Sequence, residues 1–192
     1  MASIVDGNQR DFRARNDDGN ETTATWKASL NTNWSPAQNV NFRLRYAIPI
    51  AILGSTWNSA SNLKFQYNRN STGWNEITNA ASVVRLSTSV NVTDETATTQ
   101  QISSPDTFAA GNILTSSTTT TNTVGNAAVT IESEFCAQIL SVDTNNGDTI
   151  QIRVINSANV VATSTTNTAI ITVIGPITSA IQKASSTAMF FV

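Results

Sequence analysis

The clearest ordering of apolar and polar positions lies in residues 62–77. Leu63, Phe65 and Tyr67 alternate with Lys64, Gln66 and Asn68, residues 69–73 supply turn formers, and Trp74 and Ile77 open a return strand. Such alternation followed by a short Gly-containing gap predicts an antiparallel hairpin with one buried face. Residues 40–48 repeat the pattern, with Val40, Phe42, Leu44 and Tyr46 on one side and Asn41, Arg43 and Arg45 on the other, and Pro49 ends that strand or places it at an edge. Residues 127–141 predict a long strand in which Ala127, Val129, Ile131, Phe135, Ala137 and Ile139 share a face interrupted by Ser133. Thr130, Glu132, Glu134 and Gln138 take the opposite face.

Shorter alternations predict strands at 10–15, 23–27, 83–86 and 150–154, and one long or two short strands over 160–174. Residues 94–126 read as a long loop with short strands at most, around Thr98–Ile102 and Ile113–Leu114, and its Thr tract reads as exposed. Strands at intervals of about ten residues, divided by turn signals, predict an all-β fold, an antiparallel β-sandwich of Ig-like or jelly-roll type. The expected organisation is an N-terminal arm (1–9), one sandwich domain (10–174) and a C-terminal arm (175–192). In that last arm Ile177, Ala180, Ile181 and Ala184 fall at helical spacing before an apolar end, Met189, Phe190, Phe191 and Val192.

Composition narrows the function. Charged residues are 12% of the 192, apolar residues 40%, and Asn, Ser and Thr supply more than a third of the chain. This suits sheets and turns better than disorder. A net charge of −2 offers no basic field for nucleic acid. Residues 1–10 lack the apolar core of a secretory signal, and no run is long enough to span a membrane. The arginines at 10, 13, 15, 43 and 45 read as a solvated strand face.

Candidate chemistry is sparse. The chain has no histidine and one cysteine, Cys136, so Ser-His-Asp and Cys-His machinery, His-bearing zinc sites and an internal disulfide are all excluded. Cys136 lies in an apolar run and reads as a buried structural thiol. Glu132 and Glu134 share a strand face and invite comparison with a glycosidase pair. A polar outer face accounts for them without catalysis. The oxygen-rich stretches 17–21 and 143–148 match no calcium loop and read as turns. No catalytic, cofactor or metal residue is therefore expected. Trp34 and Trp57 fall in predicted loops and are candidate glycan contacts, whereas Trp26 and Trp74 fall in predicted strands and read as core.

One resemblance adds a setting. The segments DDGNETTATW (17–26), NFRLR (41–45), FQY (65–67) with Trp74, FCAQI (135–139) and GDTIQIRV (147–154) together resemble β-sandwich proteins encoded by tailed bacteriophages. That likeness covers about residues 10–174 and consists of strand and turn patterns, so no functional residue transfers. The resemblance implies a virion component, above all a capsid decoration (cement) protein. Its expected partners are the major capsid protein and further copies of itself, a trimer among the options, with neither nucleic acid nor membrane. The implied location is the virion, assembled in the host cytoplasm. Trp57, Ile177, Ile181, Met189, Phe190 and Phe191 are the candidate partner contacts. The alternative is a tail or surface adhesion module that binds glycans through Trp34 and Trp57, or a tail-tube or baseplate subunit.

Overall fold

The computed structural model describes residues 9–50, 62–121, 129–161 and 167–175. These form ten strands: β1 (Asp11–Asn16), β2 (Phe42–Ile50), β3 (Leu63–Arg69), β4 (Trp74–Glu76), β5 (Val84–Leu86), β6 (Thr96–Ala97), β7 (Phe108–Leu114), β8 (Val129–Ile139), β9 (Thr149–Asn156) and β10 (Ala169–Thr172). One sheet has the order β1-β2-β8-β7-β6, with β5 also paired to β8, and the other has the order β10-β9-β3-β4. The two pack face to face, so the fold is an all-β sandwich.

The alternating residues build the core as their pattern predicts. Phe12, Phe42, Leu44, Tyr46, Ile48 and Phe135 from the first sheet meet Phe65, Tyr67, Ile150, Ile152 and Val154 from the second. Phe65 sits at the joint, its ring centroid 4.6 Å from Phe135 and 6.0 Å from Tyr46. Tyr46 is fully buried and spans the layers, donating its hydroxyl to the Ile152 carbonyl at 2.9 Å. The hairpin of 62–77 forms with Gln66 opposite Glu76 and Asn68 opposite Trp74. Its turn needs left-handed backbone at Asn70 and Ser71 and at Gly73, which explains the Asn and Gly there. Pro49 lies beyond the last β1 pair, Asp11 with Ala47, where among the described residues β2 pairs with β8 alone.

Three expectations change. Residues 108–114 form a full strand, and β7 runs parallel to β8, so the first sheet is mixed. Its sequence hides this, because Ala109, Ala110 and Gly111 carry too little side chain to show an alternation. Gly111 lies in the bulge of that pairing, packed on the Glu132 carbonyl and the Ser133 side chain. The Thr tract is not all exposed: Thr120 is buried and exchanges hydrogen bonds with the Leu63 backbone. Residues 23–27 form no strand. They run beside β1 through a single bridge, Arg15 to Trp26, and bonds such as Lys27 N–H to the Ala14 carbonyl. The strand predicted at 83–86 forms as β5 and joins β8 in the first sheet.

Candidate functional site

The outward faces of β1, β2 and β8 carry the densest group of ionisable side chains. Strand register places Arg15 opposite Arg43 and Arg45 opposite Glu134, while Glu132 stands opposite Ala47. Contrary to the reading of a solvated face, Arg15, Arg43 and Arg45 are completely buried, and so are Glu132 and Glu134. Alternation says which side of a sheet a residue faces; it does not say what lies on top. Here the turn of residues 17–24 and the stretch 98–102 lie on top, held by side chains aimed at their backbones.

Glu134 is the hub. Its carboxylate accepts from Arg45 Nε at 2.7 Å and faces Arg15 Nη1 at 3.4 Å and Arg43 Nη1 at 3.3 Å. Arg45 continues outward, donating Nη2 to Glu21 at 2.7 Å and Nη1 to both Glu132 at 3.2 Å and the Thr99 carbonyl at 2.9 Å. The arginines also fix the turn: Arg15 donates to the Glu21 and Ala24 carbonyls, and Arg43 to those of Gly19 and Asn20. The carboxylates fix the strap. Glu132 accepts the backbone N–H groups of Gln101 and Ile102, and Glu21 accepts the N–H and hydroxyl of Thr99. Buried charges are tolerated only with this degree of pairing.

The electrostatics follow from burial. Desolvation pushes the Glu132 carboxyl above its usual range, against the opposing pull of the Ile102 and Gln101 amides and Arg45. Glu21 is held below its range: burial raises it, but bonds from Thr99 and Arg45 outweigh that. Burial also pushes the Cys136 thiol well up, as expected for a structural thiol. Chemically, the group is a clamp. Glu134 meets guanidinium on both oxygens and has no solvent access, so neither a substrate nor a water reaches it as it would a general base.

Carboxylates of the oxygen-rich turns are also engaged by hydrogen bonds within the protein. Asp17 accepts from Ser89 and Asn41, Asp18 from Thr25, and Asp148 from Asn145, Asn70 and Arg69. Among the described residues no group of three or more His, Cys, Asp or Glu is placed to hold a metal ion. Asp94 is held well below the normal carboxylate range, because hydrogen bonds from Ser117, Thr115 and Ser116 outweigh its desolvation. Asp148 is lowered first by the Asn145 amide and then by Asn70. Both folded-state values lie below the unfolded ones, so the stability they contribute is present above about pH 4 and lost as pH falls through the folded values. Urea unfolding should show a falling midpoint between about pH 4 and about pH 2, and a flat profile would contradict it.

The tryptophans exchange roles. Trp34, proposed as a loop contact for glycan, is 8% exposed and packs on Phe12 and Phe42, with ring centroids 6.4 and 5.8 Å away. It is drawn in because residues 34–37 run along β10, with bridges from Trp34 to Ile171 and from Ala37 to Ile174. It presents no face to a sugar. Trp26 and Trp74, expected in the core, are instead partly exposed and stacked by arginines: Arg13 and Arg15 over Trp26, and Arg153 over Trp74 at 3.9 Å. Trp57, Ile177, Ile181, Met189, Phe190 and Phe191 lie outside the described residues, as do the expected N-terminal arm up to residue 8 and the helical stripe. No family model matches the chain, and no curated protein or solved structure matches it either.

Proposed function

We propose that this protein is a structural subunit of a virion that binds the outer capsid surface, stabilises contacts between neighbouring capsomers and acts as a homo-oligomer. The observation that supports a structural role most directly is the use made of the charged residues. Arg15, Arg43, Arg45, Glu21, Glu132 and Glu134 are spent on fixing surface loops to a sheet. A shell component needs a rigid exterior of this kind more than it needs a reactive cleft. The virion setting comes from the strand and turn patterns of residues 10–174. A chain without disulfides suits assembly in a reducing host cytoplasm.

Mixing the purified protein with undecorated expanded capsids tests the reading. Saturable binding and greater resistance of the particles to heat are expected. Absence of binding at micromolar protein would overturn it.

A further inference from the structure

The outer face of the second sheet differs from that of the first. Of its outward side chains, Lys64, Gln66, Trp74, Glu76, Gln151 and Arg153 are partly exposed, while Asn68 and Ile155 in the same alternation are buried. Register sets Glu76, Gln66 and Arg153 in one row across β4, β3 and β9, with Trp74 diagonal to Arg153. The Arg153 guanidinium lies 3.9 Å from the Trp74 ring centroid and donates Nε and Nη2 to the Gln66 amide oxygen at 2.9 and 2.7 Å. The nearby carboxylate, Glu76, is taken by Lys64 at 3.2 Å. Arg153 therefore has no carboxylate partner among the described residues, unlike Arg10 with Asp106 and Arg69 with Asp148.

We propose that this face docks on an acidic protein surface, with the Arg153 guanidinium, held over the Trp74 ring, receiving a carboxylate of the partner. The inference rests on the capsid-binding reading and names the contact face within it. Three features carry it. Lys64 and Glu76 cancel, so the centre of the face keeps one positive charge on a chain whose net charge is −2. That charge is already immobilised by ring and amide, so less side-chain entropy is lost when a partner binds. Aromatic residues and arginine at the centre of a contact region are also the side chains that carry most binding energy. Partial burial lowers the Arg153 pKa with no acid to offset it, which agrees with a cation short of a counter-ion.

The test compares wild type, Arg153→Gln, Arg153→Glu and a control, Arg85→Glu, which reverses an exposed charge on β5 of the other sheet. Each is titrated onto undecorated expanded capsids by co-sedimentation, with a thermal unfolding curve for each variant. Arg153→Gln should weaken binding by about tenfold or more and Arg153→Glu further, with unchanged unfolding midpoints and a control that binds like wild type. Binding of wild type should also weaken with salt, and more steeply than that of Arg153→Gln. If wild type binds and Arg153→Gln binds equally well, the docking face is overturned while the capsid reading stands. Equal losses in Arg153→Gln and the control overturn it as well. If wild type does not bind, both fall together.

Discussion

Glu134→Gln should cost this protein about 3–5 kcal/mol of unfolding free energy, read by urea denaturation at neutral pH. The change is nearly isosteric, so packing does not explain the loss. Three guanidinium groups face that carboxylate within 3.4 Å, and all three side chains are completely buried. Removing its charge leaves a surplus of buried positive charge that cannot reach water. Glu132→Gln should cost less, about 1–2 kcal/mol. It retains an oxygen for the Gln101 and Ile102 amides, and the charge it removes is one that burial already disfavours. The sign of that second effect follows from linkage. A carboxyl whose folded pKa is raised contributes stability below its unfolded pKa and loses it as pH rises through the folded one, so at neutral pH ionised Glu132 carries a penalty that Gln does not. Equal losses for the two variants would remove Glu134 from its place as hub.

Gly111→Ala should be the most damaging change in the first sheet outside the charge cluster, at about 3 kcal/mol or more. An added Cβ would overlap the Glu132 carbonyl oxygen and the Ser133 hydroxyl, and would stand 2.9 Å from Ile131 Cγ2. The first obstacle is backbone, which cannot rotate away, and it belongs to β8. Either β7 lifts from β8 or the bulge reorganises. Both outcomes disturb Thr98, whose hydroxyl accepts from Gly111 N–H and donates to the Glu132 carbonyl. Loss of amide protection in β7, with protection in the hairpin of β3 and β4 retained, would locate the damage. A variant as stable as wild type would show that the bulge is roomier than its geometry implies.

Much of the sandwich is legible in the sequence because period-two patterning is a local signal. Leu63, Phe65 and Tyr67 announce a strand and its buried face together, and so do Phe42, Leu44 and Tyr46. What the pattern cannot carry is long-range covering. Arg43 and Arg45 alternate as a solvent-facing set would, and it takes both the turn of residues 17–24 and the return of residues 98–102, more than fifty positions later, to turn that face into an interior. Trp34 misleads for a related reason: it lies outside any strand, yet its bridge to Ile171 of β10, with a second from Ala37 to Ile174 just beyond that strand, seals it against Phe12 and Phe42. One signal was available for the charge cluster. Three arginines and two glutamates on the outward faces of neighbouring strands form a mixed-sign set more consistent with mutual pairing than with separate hydration. The parallel strand β7 left no such mark.

The position of β8 sets the order in which this molecule can be made. It is flanked by β2 on one side and by β7 and β5 on the other, so three strands synthesised earlier depend on one that leaves the ribosome later. Until residues 129–139 emerge, Arg15, Arg43 and Arg45 have no Glu134, and the first sheet has no centre. Such non-local pairing places the chain among slow folders, on the millisecond-to-second scale of β-sandwiches. During translation residues 129–139 must emerge before β2, β5 and β7 have their shared partner. The carboxylate that anchors the finished surface is therefore one for which the early strands wait, and variants at Glu134 should lower the yield of folded protein in cells.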